Sequence, residues 1–343
     1  MAKRRLSKRQ VDRIRERQSQ RLDTSVAAPD EKQLGPEQAG LVIAHHGKQV
    51  QVETLDNGDD SPRRLRCHLR ATLGSVVTGD RIVFQEDDSS GIIVAIQPRS
   101  STLVRPDSYG KLKPVAANVD QLLITIACAP EPFSGLIDRY LAVAENLHIR
   151  PVLLFNKLDL LQSDEIDSAI ANKVAKLRTL YTSLGYRCID TCAKNGDGLD
   201  ELRNTLQDNT SVFVGQSGVG KSSIIKKLLP DQEIAIGALS DAIDKGRHTT
   251  THSELFHFPF GGDCIDSPGI REFGLWHLSP KEVTYGFIEI RDIAGLCKFR
   301  DCSHTHEPSC AVLSAVEDGS LHPERYENFQ RIVQSLDDVN MQG

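Results

Sequence analysis

A glycine-rich loop between a predicted strand and a predicted helix constrains this 343-residue chain more than any other stretch. An apolar run at 211–214 precedes the loop, and a helical pattern at 223–229 follows it. The loop reads Gly215-Gln216-Ser217-Gly218-Val219-Gly220-Lys221-Ser222, with Ser223 directly after it. This G-x-x-x-x-G-K-S spacing predicts a phosphate loop, because glycines let successive backbone N–H groups and the helix N-terminus point at one polyphosphate. The alternative, an ordinary glycine-rich turn, is disfavoured because strand, Lys-Ser pair and helix follow in the required order.

The phosphate loop predicts a bound nucleoside triphosphate and leaves its base open. We expect residues 215–223 to surround the phosphates. Within them, Lys221 would bridge the β- and γ-phosphates, and Ser222 would hold Mg²⁺.

Buried strands and amphipathic helices alternate in the region before the loop. The runs at 121–127 and 151–155 are continuously apolar, which is typical of strands covered on both faces. Apolar residues recur at helical spacing in 137–144, 166–180 and 199–206. This order predicts a mostly parallel sheet with helices on both faces.

The second strong motif, Asn156-Lys157-Leu158-Asp159, follows the strand at 151–155. An aspartate carboxylate in this place can accept hydrogen bonds from guanine N1–H and the 2-amino group, and adenine offers no such pair of donors. A buried acceptor left unpaired by the wrong base discriminates by roughly 10⁴-fold. We expect Asn156 to contact guanine N7, the Lys157 stem to cover the base, and the Ala193 N–H to reach O6. Alone this motif is common as a capped turn; with a phosphate loop it indicates GTP.

Two further stretches resemble the switch segments of a GTPase. Gly246-Arg247-His248-Thr249-Thr250-Thr251 would supply Thr250 to Mg²⁺. Asp266-Ser267-Pro268-Gly269 would supply Asp266 near Mg²⁺ and the Gly269 amide for the γ-phosphate. Ile270 stands where Ras-type enzymes place the glutamine that orients water. We therefore predict that His248 orients the attacking water, against the alternative of a solvent-facing loop histidine.

Cysteine and histidine cluster near the end of the chain, in the spacing Cys297-x4-Cys302-x-His304-x5-Cys310. Three thiolates and one imidazole suit a tetrahedral Zn²⁺ that folds the module and leaves no open catalytic position. His306 competes with His304 as the fourth ligand, and spacing does not decide between them. The other cysteines are scattered, which favours reduced thiols over a disulfide framework.

Five short alternating segments with turn signals between them occupy residues 40–97. They predict a small OB-type barrel. The basic stretch Arg63-Arg64-Leu65-Arg66-Cys67-His68-Leu69-Arg70 would face RNA, or the barrel would only pack on its neighbour. Residues 98–119 resemble a linker.

Charge is distributed unevenly along the chain. Residues 1–21 carry nine Lys/Arg against two acidic residues, a net +7, although the whole chain carries −6. This favours a disordered tail that contacts nucleic-acid phosphates, with a solubility tail and an organelle presequence as alternatives. We also expect no membrane span, no secretory signal, a cytoplasmic location and a monomer.

Taken together, the patterns predict four parts: a basic disordered tail (1–37), an OB-fold barrel (38–100), a circularly permuted P-loop GTPase domain with linker (101–275) and a helical zinc-binding module (276–343). In ordinary GTPases the phosphate loop comes first. Here Asn156–Asp159 precedes it. The same sheet can still form if the chain termini are relocated to other surface loops, which is a circular permutation. Because the second switch runs into the zinc module, loss of the γ-phosphate would tilt that module.

These motifs closely resemble those of the circularly permuted ribosome small-subunit-dependent GTPase A family, also called RsgA or YjeQ. The resemblance covers nearly the whole chain, from the basic tail to the Cys-His spacing, with no departure at a motif position. It implies a GTP hydrolase of late small-subunit maturation that binds 16S rRNA near the decoding region and is stimulated by the 30S particle. It also implies GTP/GDP with one Mg²⁺, and one Zn²⁺ on Cys297, Cys302, His304 and Cys310.

Two other classes compete with this interpretation. A passive RNA-binding scaffold with a vestigial nucleotide site would show no turnover, and the intact Lys221, Ser222, Thr250 and Asp266 argue against it. A P-loop ATPase or small-molecule kinase is opposed by Asp159.

Overall fold

The computed structural model describes residues 34–46, 49–55, 62–70, 73–87, 90–107, 110–162, 166–230, 253–266 and 278–340. The predicted basic tail lies outside these ranges, apart from its last residues at 34–37. The division of the chain into four parts remains a prediction.

Alternating apolar residues near the start of the described chain form a closed barrel. Its strands are β1 (Glu37–His46), β2 (Gln49–Thr54), β3 (Arg64–Leu69), β4 (Arg81–Glu86) and β5 (Gly91–Ile96). They follow the order β1-β2-β3-β5-β4, β4 pairs back with β1, and β3 runs parallel to β5. The buried core of the barrel contains Val42, Val52, Ile82, Phe84 and Ile93. The predicted OB-type barrel is confirmed.

A two-stranded hairpin occupies the stretch that resembled a linker. It consists of β6 (Thr102–Pro106) and β7 (Leu112–Ala117), paired antiparallel. The linker prediction was therefore wrong for these residues. Pro106 and Pro114 obscured the strand pattern, and a two-stranded ribbon tolerates prolines that a central strand would exclude.

The central sheet has strands β8 (Gln121–Ala127), β9 (Arg150–Asn156), β10 (Arg187–Asp190), β11 (Thr210–Val214), β12 (Glu254–His257) and β13 (Asp263–Asp266). Their order is β10-β9-β8-β11-β13-β12, with every neighbouring pair parallel except β12 with β13. Every residue of β8 is buried, as expected for a strand covered on both faces. β12 also pairs with β1, between Glu254 and Ala44, so the sheet continues into the barrel.

Helices cover both faces of the central sheet. They are α1 (Ser134–Asn146), α2 (Ser168–Ser183), α3 (Leu199–Leu206) and α4 (Lys221–Leu228). One apolar cluster joins α1 and α2 to the sheet, and another joins α3 and α4 to it. The predicted α/β architecture is confirmed.

Four more helices follow the sheet within residues 278–340: α5 (Pro280–Gly286), α6 (Ile288–Ala294), α7 (Ala311–Glu317) and α8 (Pro323–Asn340). The apolar face of α8 is buried through Tyr326, Phe329, Ile332 and Leu336. This face belongs to the same apolar cluster as α1. The terminal helices therefore pack on the domain formed by the central sheet and its helices, which we call the central domain. Within the described ranges, no helix has both the length and the apolar character that crossing a bilayer requires.

Candidate nucleotide-binding site and metal centre

Three loops of the chain meet at one edge of the central sheet. β9 ends at Asn156, β10 at Asp190 and β11 at Val214, and carboxyl ends of parallel strands share an edge. A cleft of about 400 Å³ lies between the loops. Its lining combines all three loops with one side of α4: Asn156, Lys157, Asp159, Leu160, Cys192, Ala193, Lys194, Gly220, Ser223 and Lys227.

Two glycines of the phosphate loop stand where no side chain fits. Gly215 has a φ of 133°, and a Cβ there would lie 2.2 Å from the carbonyl oxygen of Thr125. Gly220 has a φ of 98°, and its Cβ would lie 2.3 Å from Nδ2 of Asn156. These positions therefore require glycine, and the loop backbone remains accessible to a phosphate.

Lys221 begins α4 and curls back over the loop. Its Nζ donates to the carbonyl oxygens of Gly215 at 2.8 Å and Gln216 at 2.6 Å. The N-cap residue of α4 is Gly220, which has no side chain to accept from the first backbone N–H groups of the helix. These N–H groups and the lysine ammonium give the loop the positive character that an anion requires.

Asn156 ties the N-K-x-D turn to its two neighbours. Its Nδ2 donates to the carbonyl oxygen of Val219 at 2.9 Å, inside the phosphate loop. Its Oδ1 accepts from the backbone N–H of Ala193 at 3.2 Å and from the Thr191 hydroxyl at 3.4 Å. One amide thus connects all three loops, and the Ala193 N–H that we assigned to guanine O6 is engaged with Asn156.

The lysine of the N-K-x-D turn has a strained backbone and a fixed side chain. Lys157 has a φ of 64°, and its Nζ donates to the carbonyl oxygen of Ala129 at 2.7 Å. A 3₁₀ turn, Leu158–Gln162, follows directly. The lysine stem consequently forms part of the cleft wall.

Asp159 faces the cleft and contacts two residues of the 191–194 stretch. Its Oδ1 accepts from the Cys192 thiol at 3.2 Å, and its Oδ2 lies 3.6 Å from Nζ of Lys194. The Cys192 hydrogen bond, aided by the Lys194 charge, lowers the pKa of Asp159. The carboxyl is therefore ionised at neutral pH. The Cys192 contact was not predicted from the sequence; the position of Cys192 directly before Ala193 was the available signal.

The predicted Mg²⁺ and water-orienting residues are only partly described. Asp266 ends β13, beside β11, and Ser222 lies in the first turn of α4, so both stand at the edge that carries the phosphate loop. His248, Thr250 and Gly269 lie outside the described residues.

Cys297, Cys302, His304 and Cys310 come together as predicted, with all ligand atoms within 4.8 Å of one another. Cys297 Sγ lies 3.5 Å from His304 Nδ1 and 3.9 Å from Cys310 Sγ, and Cys310 Sγ lies 3.6 Å from His304 Nδ1. Tetrahedral zinc, with bonds of about 2.3 Å to sulfur and 2.05 Å to nitrogen, separates such atoms by about 3.8 Å and 3.5 Å. The donor set fits zinc. The competing residue, His306, is exposed and contacts Thr305 Oγ1 at 2.8 Å.

The surroundings of the cluster hold its imidazole in a ligand geometry. His304 is buried with a φ of 60°, and its carbonyl oxygen accepts from the Tyr326 hydroxyl at 2.7 Å. Burial lowers the pKa of His304, which favours the neutral imidazole that binds metals. Burial also raises the pKa of the Cys302 thiol to about 12, and the Cys310 and Cys297 thiols contribute to the rise. Thiolates at this place therefore need a positive charge.

Comparisons with known proteins agree with this geometry. The model of the RsgA GTPase family matches residues 96–276. The small ribosomal subunit biogenesis GTPase RsgA of Saccharophagus degradans is 99% identical over 343 residues, with full coverage of both chains. The chain belongs to the RsgA GTPase family. It is accordingly a GTPase, an enzyme that hydrolyses GTP.

Other relatives support membership of the RsgA GTPase family. The protein of the same name from Marinobacter nauticus is 50% identical over 355 residues, covering 100% of this chain and 99% of its own. The crystal structure of YjeQ from Thermotoga maritima is 32% identical, with a TM-score of 0.71 and coverage of 88% and 99%. The structure of YloQ, a circularly permuted GTPase, is 29% identical, with a TM-score of 0.67 and coverage of 91% and 98%. The circularly permuted fold of the RsgA family is confirmed for this chain.

Proposed function

We propose that this RsgA-family GTPase hydrolyses Mg-GTP during maturation of the small ribosomal subunit, in the cytoplasm. The convergence of the N-K-x-D turn, the 191–194 stretch and the phosphate loop on one cleft carries the proposal. Its ribosomal part is supported by the relatives, which are named small ribosomal subunit biogenesis GTPases. Their name fits a partner in the 30S subunit and its 16S rRNA.

Guanine is the base that the cleft suits. The ionised Asp159 carboxylate is 23% exposed and can accept both guanine N1–H and the 2-amino group. Asn156 uses one amide hydrogen on Val219, and the second remains for N7. The Ala193 N–H would be shared between Asn156 and O6.

The phosphate end of the site would work mainly by positioning charge. Lys221 would leave the loop carbonyls and bridge the β- and γ-phosphates, while the α4 N-terminus receives the phosphate oxygens. Ser222, Thr250 and Asp266 would hold Mg²⁺, which neutralises charge on the β/γ oxygens when bound. The Gly269 amide would contact the γ-phosphate, and His248 would orient the attacking water.

The barrel supports a contact with RNA. β3 exposes Arg64, Arg66 and His68 on its outer side, while Cys67 faces the core. Arg64 also pairs with Glu53 through a 3.2 Å contact. Outward cations on a barrel strand suit the phosphates of a single-stranded or loop RNA. The basic tail would extend this surface.

The Cys-His cluster would hold one structural Zn²⁺. Its three thiols and one imidazole leave no open position for substrate. The helices around it pack on α1, and α5 begins shortly after the second switch at 266–269. Ordering of the switches on the ribosome would reach the zinc module through this connection.

Multiple-turnover GTP hydrolysis, measured with and without purified 30S subunits, tests the proposal. We expect 30S subunits to accelerate hydrolysis by at least tenfold, while 50S subunits leave the rate unchanged. Absence of turnover with 30S subunits would favour the passive scaffold and overturn the proposal.

The His248→Ala variant tests the catalytic residue in the same assay. We expect its stimulated turnover to fall by about 10²-fold or more, the range of a lost general base. Its affinity for GTP should stay within about twofold of the wild type. Unchanged turnover would remove His248 from the mechanism.

A further inference from the structure

The Asp159 carboxylate has one contact to a buried side chain and one to an exposed side chain. Cys192, which is 2% exposed, donates its S–H to Oδ1 at 3.2 Å. The Lys194 ammonium approaches Oδ2 at 3.6 Å, and its side chain is 83% exposed. An ion pair with an exposed lysine restrains a carboxylate weakly. The thiol is therefore the firmer of these two contacts.

The backbone around Cys192 is itself fixed. Its N–H donates to the carbonyl oxygen of Asp197 at 2.9 Å, and its carbonyl oxygen accepts from the Gly196 N–H at 2.8 Å. The preceding Thr191 N–H donates to the carbonyl oxygen of Phe155 at 2.7 Å, on the strand that leads to the N-K-x-D turn. The sulfur is thus held at a set position relative to the carboxylate.

From these contacts we propose that Cys192 is a positioning residue for guanine recognition, whose S–H holds the Asp159 carboxylate in the plane that pairs with the base. The proposal rests on the guanine assignment made above. Each carboxylate oxygen has two lone pairs, so Oδ1 can accept from the thiol and the base together. Rotation about Cβ–Cγ is otherwise broad, because this terminal torsion has only shallow minima.

Holding the Asp159 carboxylate in one plane matters most for a base that offers two hydrogen-bond donors. Guanine presents N1–H and the 2-amino group, and both pair only when both carboxylate oxygens face the base. Hypoxanthine lacks the 2-amino group, so its N1–H needs only one carboxylate oxygen as an acceptor. A carboxylate that rotates freely still supplies that oxygen. Loss of the anchor should therefore weaken guanine binding more than hypoxanthine binding.

Equilibrium binding of GDP and IDP to full-length Cys192 variants tests this proposal. In Cys192→Ala we expect GDP to bind roughly tenfold more weakly, the scale of one lost hydrogen bond to a charged group, and the GDP-over-IDP preference to fall. Cys192→Val, which also lacks a donor but fills more of the space, should behave alike. Cys192→Ser should restore the preference, because a hydroxyl donates in place of the thiol.

Cys188→Ala is the matched control, because Cys188 is a half-buried thiol on β10 outside the cleft lining. We expect its GDP-over-IDP preference to equal that of the wild type. Equal losses for GDP and IDP in Cys192→Ala and Cys192→Val would indicate packing alone and overturn the proposal, as would no loss. A wild type that fails to prefer GDP over ADP would instead overturn the guanine assignment itself.

Discussion

His257 contacts two carboxylates that belong to different parts of the molecule. Its Nδ1 lies 2.6 Å from Asp263 Oδ1 on β13, in hydrogen-bond geometry. Its Nε2 lies 2.7 Å from Glu53 Oε1 on β2 of the barrel, but this contact lacks hydrogen-bond geometry. The interaction between His257 and Glu53 is therefore mainly electrostatic. Glu53 is also paired with Arg64. One imidazole thus links the barrel to the strand pair between the two predicted switch segments.

This contact predicts a pH-dependent stability. The Asp263 hydrogen bond, with the nearby Glu53 charge, raises the pKa of His257 above 6.5 despite partial burial. A group whose pKa is raised by folding stabilises the fold fully at pH values below its unfolded-state pKa. That contribution is lost as the pH rises through its folded-state pKa. The stability difference between wild type and His257→Gln should therefore be largest near pH 6 and shrink towards pH 9. Urea unfolding across this range measures it, and a difference that grows with pH would contradict the assignment.

Residue-level contacts such as these were only partly predictable from the sequence. The N-K-x-D and G-x-x-x-x-G-K-S motifs fix residue types at short spacing, so Asp159 and Lys221 could be predicted directly from the sequence. The Cys192–Asp159 and His257–Glu53 contacts join residues 33 and 204 positions apart. The position of Cys192 beside Ala193 indicated only that it lies near the cleft. No local pattern indicates which residues pair, because the pairing depends on how strands become neighbours in the sheet.

If it holds the proposed zinc, the Cys-His loop between α6 and α7 is the element whose fold depends most on a bound ion. Cys310→Ser should lower the zinc content of the purified protein from about one ion to none, since one of four ligands is weakened. The C-terminal helices should then lose stability. GDP affinity should change by less than about twofold, because the nucleotide cleft shares no residue with the cluster. Metal analysis and GDP titration measure both effects.

His306→Ala is the matched control, since His306 is exposed two positions from the buried His304. It should retain one zinc. Loss of zinc in His306→Ala, or full zinc in Cys310→Ser, would show that the ligand set is wrong.

Helices and strands were predictable from the sequence where a single periodicity of apolar residues dominated the segment. The fully apolar β8 and the apolar stripe of α1 were expected and found, because burial alone sets those patterns. The β6–β7 hairpin was missed, because short strands with prolines leave too little alternation.

At the scale of the whole molecule, a buried ionic network joins the central domain to the terminal helices. Arg325 of α8 is 1% exposed and contacts Asp138 of α1 at 2.5 Å and Glu289 of α6 at 2.5 Å. Asn328 and Tyr181 also donate to Asp138, both at 2.7 Å. Arg325 and Asp138 lie 187 positions apart, so no sequence pattern revealed the network.

Arg325→Met should destabilise the protein by about 3–5 kcal/mol, because it leaves two carboxylates without their cation in a buried site. Arg331→Met is the control on the same helix, since Arg331 is 64% exposed and forms a surface ion pair with Glu327. Its effect should stay below about 1 kcal/mol. Urea unfolding compares the two variants, and equal stabilities would refute a structural role for the network.

The permuted motif order is the feature of the whole molecule on which the proposed chemistry depends, because the proposal requires residues 156–159 to share one guanine nucleotide with residues 215–223. Equilibrium binding of GDP, XDP and ADP to wild type and Asp159→Asn tests this most directly, with Asp197→Asn as a control in the neighbouring loop. The wild type and the control should prefer GDP, and Asp159→Asn should prefer XDP, because an amide can donate to the 2-carbonyl of xanthine. A base preference that does not change in Asp159→Asn would contradict the account.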